Sequence, residues 1–274
     1  MPFAILELQR AYQAYRQFLS CNPQCHHARY IFPFFAGTYF AYREVDVMRI
    51  VAIAKSVAPA TINPSYVDIG CGYGDFLTKI HDHLPSAIGI EKEGGIFSAF
   101  QVARPDYIQV MSVESFSQPI DVAFVGWMEP GQDFRKYVAE KSNCVITTFD
   151  AGGQCGINGG CEYDEFGFER IAWWRTPSWI DVNTELMNNY YTPSLDAKKK
   201  EHLRRLRTAH NFWYVYTKPE ITNRVRSCLK SWLSKEDPRH GYDFEFVLDE
   251  CSFGYNEELP ALMNNKRLWE VIFD

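Results

Sequence analysis

The chain has 274 residues, of which 46% are hydrophobic and 16% aromatic, and its formal net charge is −6. This length suits one large α/β domain with additions, the composition excludes a disordered or fibrous chain, and no uncharged apolar stretch is long enough for a transmembrane span. No basic region followed by an apolar core and a cleavage site opens the sequence, so we expect a cytoplasmic protein whose eight cysteines are reduced thiols.

Residues 1–60 predict a helical and aromatic cap. Apolar side chains recur at helical spacing over Ala4–Leu19 and again over Glu44–Val57, which predicts two helices. Between them, Tyr30–Tyr42 contains seven aromatics in thirteen residues. These rings either pack under the second helix or form a lid over a bound ligand, and Tyr39 is the candidate for the second role.

Four potential metal ligands fall within seven residues near the end of the first helix. They are Cys21, Cys25, His26 and His27. A zinc site of the usual kind needs a second pair of ligands further along the chain, and only Cys155 and Cys161, in a glycine-rich loop, could supply it through a long-range contact. We therefore favour unreactive thiols and expect no metal.

A glycine-rich turn joins a strand pattern to a helix pattern in Tyr66–Leu77. The apolar run Tyr66–Ile69 predicts a buried strand, and helical spacing resumes at Phe76. Glycine is favoured between them because the backbone takes φ values closed to other residues and lets a ligand approach closely. The dinucleotide fingerprint would place a glycine where this chain has Asp75, and an acid there repels a pyrophosphate. The turn predicts a nucleotide-like ligand other than a dinucleotide.

The same stretch resembles the first motif of the class I S-adenosylmethionine-dependent methyltransferases, an acid followed by G-x-G-x-G. The matching residues are Asp68, Gly70, Gly72 and Gly74. A second apolar strand, Ala87–Glu91, ends in an acid about twenty residues later, where an open α/β sheet places the carboxylate that accepts both ribose hydroxyls. The resemblance covers residues 61–218.

This resemblance implies a fold and a cofactor. The fold is a doubly wound α/β sheet, mostly parallel with an antiparallel last strand and helices on both faces, with the cap 1–60 before it and an extension 219–274 packed on the core. The cofactor is S-adenosyl-L-methionine, whose aminoacyl part would face the turn and whose adenine would lie beside the loop after the third strand. The implied contacts are Asp68, Gly70, Cys71, Gly72, Gly74, Glu91, Lys92, Ser112, Val113 and Gly126.

The exit of the fourth predicted strand, Ile120–Val125, reads Gly-Trp-Met-Glu-Pro-Gly over residues 126–131. In the family this position is nearest the transferred methyl. The exit departs from the Asn/Asp-Pro-Pro-aromatic pattern of many amino-methylating enzymes, which lowers support for base N-methylation. Glu129 is the candidate base or substrate anchor and Trp127 the candidate wall, with the alternative that Glu129 only binds a loop amide.

The second half of the chain carries fewer signals. Cys144–Phe149 predicts a fifth strand, and the glycine-rich residues 151–161 form either an active-site flap or a surface loop. Phe168–Trp174 and Asn211–Thr217 predict a hairpin-like last pair of strands. The apolar run Leu268–Phe273 is expected to extend or cover the edge of the sheet.

A basic run, Ala197–Arg207, has six basic residues against one acid. It is either a solvated helix face or a guide for an anionic substrate, nucleic acid or membrane. We favour the solvated face, and with it a methyltransferase whose acceptor is a small molecule that can be lipophilic. The alternatives are an RNA or protein methyltransferase that uses the basic helix 197–209, and a cofactor-binding protein without turnover.

Overall fold

The computed structural model describes residues 10, 13–17, 20–21, 44–58, 63–99, 101–129, 131–150, 155–157, 160–176, 211–236 and 270–274. Tyr39 and its aromatic segment, the basic helix 197–209, and Cys25 with the two histidines after it lie outside these residues. The first predicted helix is described only in part, and residues 13–17 are helical there. No helix within the described ranges is long and apolar enough to cross a membrane.

Strands and helices alternate through the first half of the chain. In order, the elements are α1 (Glu44–Val57), β1 (Tyr66–Ile69), α2 (Asp75–His83), β2 (Ile88–Glu91), α3 (Gly95–Ala99), β3 (Ile108–Val110), β4 (Ile120–Gly126), α4 (Arg135–Lys141), β5 (Ser142–Asp150), β6 (Glu169–Thr176), β7 (Asn211–Thr217), α5 (Thr222–Leu233) and β8 (Ile272–Phe273). Short 3-10 turns occur at Val113–Ser115, Asp164–Phe166 and Pro219–Ile221.

The eight strands form one sheet in the order β3-β2-β1-β4-β5-β7-β6-β8. The pairs from β3 to β5 are parallel, whereas β7 pairs antiparallel with both β5 and β6, and β8 pairs antiparallel with β6. The predicted class I methyltransferase-like sheet, mostly parallel with an antiparallel last strand, is therefore confirmed. The C-terminal run does extend the sheet edge, through two residues of β8.

Alternation along the central strands covers both faces of the sheet with apolar side chains. On β4, Val122 and Phe124 join the cluster under α1, α2 and α5, while Ala123 and Val125 join the cluster under α4. Successive side chains point to opposite faces, so a strand buried on both sides is apolar throughout. This explains why the strands near the glycine turn are continuous apolar runs.

A buried polar network ties α1 to the second half of the chain. Asp46 accepts a hydrogen bond of 2.8 Å from the Trp174 indole nitrogen on β6. Arg49, 3% exposed, donates from Nε to Glu236 just after α5, over 2.8 Å. The helix assigned to the N-terminal cap thus packs directly on the core, and the division at residues 60 and 218 stays a prediction.

The helix after β2 is short. It ends at Ala99. Gln101 takes a φ of +54°, and the Val102 N–H donates to the Phe97 carbonyl over 3.0 Å. A left-handed residue with such a bond closes a helix, so the chain turns here towards β3.

Candidate functional site

The candidate site lies where the strand order reverses. The chain steps from β1 to β2 on one side and to β4 on the other, which opens a crevice at the carboxyl ends of these strands. Gly70 follows β1, Glu91 ends β2 and Gly126 ends β4. The residues predicted from three separate motifs are therefore brought together at one point.

The glycine turn has the backbone that its sequence demands. Gly70, Gly72 and Gly74 take φ values of +73°, +58° and +87°, which side chains disfavour. A Cβ at Gly74 would also lie 2.5 Å from the Ile108 side chain. The Gly70 N–H donates to the Ile90 carbonyl over 2.8 Å, so the turn is fastened to β2.

The Glu91 carboxylate faces this turn. One oxygen accepts the Gly72 N–H over 2.9 Å, and the other accepts the Glu93 N–H over 2.9 Å. A carboxylate has about four lone-pair sites, so both oxygens keep capacity for a ligand hydroxyl. The side chain is held in place before any ligand arrives.

Two cavities adjoin at the crevice and share Gly70, Glu91, Gly126 and Trp127. The turn cavity, of about 300 Å³, is lined by Asp68, Gly70, Cys71, Gly72, Tyr73, Asp75, Phe76, Glu91, Ile96, Phe124, Gly126 and Trp127. The loop cavity, of about 220 Å³, is lined by Ile69, Gly70, Ile90, Glu91, Lys92, Glu93, Met111, Ser112, Val113, Glu114, Gly126, Trp127, Met128, Glu129, Gln132 and Phe134. Gly74 lines neither, and its contribution is to the shape of the turn.

The turn cavity is electrostatically negative. Asp68 is 3% exposed, and burial raises its pKa well above the usual range, with the charges of Asp75 and Glu91 raising it further. Burial, followed by the charge of Asp75, raises the pKa of Tyr73 to about 12. Burial also raises the pKa of the Cys71 thiol, ahead of the charge of Asp68. Near neutral pH the phenol and the thiol are protonated, so each is a hydrogen-bond donor and neither is a base.

Trp127 stands between the two cavities in an unusual conformation. Its φ of +48° is rare for a residue with a bulky side chain, and its backbone N–H donates a hydrogen bond of 2.8 Å to the Thr148 carbonyl on β5. The exit loop is fastened further by the Gly156 N–H, which donates to the Met128 carbonyl over 3.0 Å. Strain of this kind is held where the surrounding structure fixes it, often at functional sites.

The two predicted catalytic residues of the exit loop are separated. Trp127 lines both cavities, whereas Glu129 is exposed and lines only the loop cavity. The Glu129 carboxylate is therefore on the side of Ser112 and Val113, away from Asp68. Within the described part of the chain, no loop amide donates a hydrogen bond to the Glu129 carboxylate.

Sequence patterns missed several lining residues and one supporting residue. Tyr73 sits inside the glycine motif, but nothing in the motif marks its ring as part of the wall. Lys141, at the end of α4, donates from Nζ to the carbonyl of Val113 over 2.9 Å and to that of Glu114 over 3.4 Å. These hydrogen bonds hold the turn that lines the loop cavity. No local sequence pattern predicts a contact between α4 and that turn.

The cysteines form no metal centre among the residues that the structure describes, where no group of three or more His, Cys, Asp or Glu side chains converges. Cys155 and Cys161 are buried in the cluster under α4, whereas Cys21 is exposed. Burial raises the pKa of the Cys144 thiol on β5. The buried thiols Cys144, Cys155 and Cys161 pack in the core.

No protein-family model and no curated protein matches this sequence. Solved structures do. The geranyl diphosphate C-methyltransferase of Streptomyces coelicolor A3(2), in complex with Mg²⁺, geranyl diphosphate and S-adenosyl-L-homocysteine, is 11% identical, with 57% of this chain and 72% of that chain covered and a TM-score of 0.41. An O-methyltransferase from a trans-AT PKS multienzyme of Brevibacillus brevis, in complex with S-adenosyl-L-homocysteine, is 13% identical, with 80% and 86% covered and a TM-score of 0.43.

A third similar structure is a coclaurine N-methyltransferase bound to N-methylheliamine and SAH, 8% identical, with 64% of this chain and 72% of that chain covered and a TM-score of 0.40. The strand order of this chain, its antiparallel β7 and its glycine turn at the crevice are those of the class I methyltransferase-like fold.

Proposed function

We propose that this protein is an S-adenosylmethionine-dependent methyltransferase whose acceptor is a small molecule that can be lipophilic. The observation that carries the proposal is the pair of adjoining cavities that meet at the Glu91 carboxylate. A nucleoside with a charged aminoacyl arm has the matching shape, because its ribose lies between an adenine at one end and a sulfonium at the other.

The residues present fit this cofactor. In the proposal, Glu91 accepts the ribose hydroxyls with its remaining lone pairs, and Ser112 and Val113 line the adenine in the loop cavity. The turn cavity then takes the aminoacyl arm beside Asp68, and the left-handed glycines let that arm approach the backbone. When bound, the cofactor supplies an electrophilic methyl group.

The residues of this chain orient the acceptor and exclude water from the reacting atoms. Direct displacement is accelerated mainly by holding the attacking atom in line with the methyl. Trp127, held by the hydrogen bond of its backbone N–H to β5, forms the wall at the junction of the cavities, and Tyr73 lines the turn cavity as a protonated phenol. Glu129 lies in the loop cavity, so in this proposal it is a substrate or cofactor anchor at the rim and does not receive the acceptor's proton.

A small acceptor suits the wall of the turn cavity. Tyr73, Phe76, Phe124 and Trp127 present aromatic surface around it. Phe76 and Phe124 contact each other with ring centroids 5.1 Å apart, which gives a rigid apolar floor. Ligand pockets of this kind enclose a small apolar body and fix it with a few polar groups.

Isothermal titration calorimetry tests the cofactor. S-adenosylmethionine and S-adenosylhomocysteine are expected to bind, and NAD is not, because Asp75 and Asp68 repel a pyrophosphate. Tight binding of NAD with no response to either adenosyl ligand would overturn the proposal. Transfer of a labelled methyl group into the small-molecule fraction of a cell extract, and not into its RNA or protein, then tests the acceptor class.

A further inference from the structure

Two short segments after β5, residues 155–157 and 160–161, form the arms of a tight hairpin, called here the cysteine hairpin. Ile157 and Gly160 make an isolated antiparallel bridge, and the Gly160 N–H donates to the Ile157 carbonyl over 3.0 Å. A Cβ at Gly156, whose φ is +61°, would lie 2.6 Å from the Gly160 carbonyl oxygen. Glycine at this position therefore lets the two arms approach closely, with Cys155 on one arm and Cys161 on the other.

The two thiols of the hairpin are in direct contact. The Cys161 side chain is hydrogen-bonded to that of Cys155, and both cysteines are free thiols in this structure. They are 1% and 5% exposed and belong to the apolar cluster under α4. A disulfide requires a backbone that brings two cysteine side chains within bonding reach of each other. The cysteine hairpin already places the sulfurs side by side, so a bond between them needs only a short further approach.

The cysteine hairpin is also joined to the exit loop of the candidate site. The Gly156 N–H donates to the Met128 carbonyl over 3.0 Å, and the Gly131 N–H donates to the Gly156 carbonyl over 2.9 Å. Met128 and Glu129 line the loop cavity. A covalent change in the hairpin therefore acts on the backbone that carries these two side chains.

We propose that Cys155 and Cys161 are a redox-active pair, which a peroxide converts into a disulfide that closes the hairpin behind the exit loop. This modification site does not depend on the proposed function. One sulfur attacks a peroxide oxygen, the oxygen–oxygen bond breaks, and a sulfenic acid and one water form. The second sulfur then displaces the hydroxyl of the sulfenic acid, which leaves with the second thiol proton as another water. Both sulfurs are oxidised, and the peroxide is reduced to two waters.

The surroundings of the pair set the speed of the first step. The hydrogen bond with Cys155, followed by burial, raises the pKa of the Cys161 thiol, whereas the guanidinium of Arg135 lowers it. The thiolate is the nucleophile, so the first attack is slower than at an exposed cysteine. The second attack is fast, because the partner sulfur already lies beside the sulfenic acid. The pair should therefore yield a disulfide in preference to higher oxides of sulfur.

Peptide mapping of the full chain tests the proposal. The protein is treated with hydrogen peroxide, the remaining thiols are alkylated in denaturant, and the peptides are identified by mass spectrometry. We expect Cys155 and Cys161 in one cross-link, lighter than the reduced pair by two hydrogen atoms, and we expect dithiothreitol to restore both thiols. Cys144 is the internal control, because it is fully buried and burial is what raises the pKa of its thiol, and it should be alkylated.

Three results of this experiment would overturn the proposal. The first is retention of both thiols after prolonged treatment. The second is a sulfinic or sulfonic acid at either cysteine in place of the cross-link. The third is a cross-link from Cys155 or Cys161 mainly to a different cysteine of the chain.

Hydrogen exchange tests whether the disulfide reaches the exit loop. In the oxidised protein the amides of Gly131 and Gly156 should exchange about ten-fold more slowly than in the reduced protein, because the cross-link opposes opening of the hairpin. Cys155→Ala should abolish both the cross-link and this response to peroxide, and Cys144→Ala should keep both. Cys161→Ala gives the same test should Cys155→Ala fail to fold. Equal exchange in the reduced and the fully cross-linked protein would contradict the action on the exit loop.

Discussion

The turn cavity and the loop cavity share Glu91 and Trp127, yet they are built in different ways. Most of the turn cavity comes from one stretch, Asp68–Phe76, whose glycines and acids are adjacent in sequence. The loop cavity is assembled from the ends of β2, β3 and β4 and from the loops that follow them. The comparison shows that a local motif builds the turn cavity, whereas contacts between distant segments build the loop cavity.

Exposure separates the two cavities as well. Asp68 is 3% exposed, whereas Lys92, Glu93 and Glu129 in the loop cavity are exposed. Charges in a buried wall are little screened by solvent, and exposed charges are screened strongly. Substitutions in the turn should therefore cost more than those at the loop rim.

Gly74→Val should give the largest effect. Valine must adopt a φ near +87°, and its Cβ would lie 2.5 Å from the Ile108 side chain. We expect a loss of about 2 to 4 kcal/mol in the free energy of unfolding, measured by urea denaturation. Gly95→Ala is the matched control, since it has open space and no positive φ, and it should be neutral. Equal stability of the two variants would show that the turn is not conformationally demanding.

Glu91→Ala acts at the junction of the cavities. The variant loses the proposed acceptor for the ribose and removes the carboxylate that accepts the Gly72 N–H, so binding of S-adenosylhomocysteine should weaken by about 1 to 3 kcal/mol. Calorimetry measures the change. Glu91→Gln keeps one acceptor oxygen and should lose less. An unchanged affinity in the alanine variant would move the ribose site elsewhere.

Lys141→Met tests whether the hydrogen bond to Val113 maintains the shape of the loop cavity. The variant removes the donor that holds the Val113 carbonyl, and we expect the affinity for S-adenosylhomocysteine to fall by about 0.5 to 1.5 kcal/mol. Lys136→Met is the control on the same helix, because Lys136 only approaches Glu140 on the surface, at 3.9 Å. Equal losses in both variants would indicate a general charge effect and would argue against support of the Val113 turn.

Glu129→Gln should have the smallest effect on turnover. A general base contributes about 10²- to 10⁴-fold to a rate, but Glu129 lies in the loop cavity and on the exposed rim. We expect the turnover number on the true acceptor to change by less than about three-fold. A loss of a hundred-fold would restore Glu129 as the base and would place the acceptor in the loop cavity.

Sequence reasoning succeeded where the signal was local. The bounds of α1 and β7 were predicted to the residue, because helical spacing and an apolar aromatic run identify such elements directly. The glycine turn and the acid ending β2 identified the crevice for the same reason. Few residues other than glycine adopt the positive φ values of these three positions, so the residue types themselves predict the shape of the turn.

What the sequence could not predict depends on contacts between distant segments. Burial, then the charges of Asp75 and Glu91, raise the pKa of Asp68, and Glu91 lies near Asp68 because β1 and β2 are paired. The brace from Lys141 to Val113 joins residues 28 positions apart. The separation of Glu129 from the turn cavity follows from the path of the exit loop after Trp127, whose positive φ no pattern announces.

We propose that one adenosyl ligand spans both cavities with its ribose on Glu91. A crystal structure of the full chain with S-adenosylhomocysteine tests this most directly. We expect the ribose hydroxyls within hydrogen-bond distance of the Glu91 carboxylate, the adenine beside Ser112 and Val113, and the sulfur in the turn cavity near Tyr73 and Asp68. A ligand bound elsewhere, or reversed so that adenine fills the turn cavity, would contradict it.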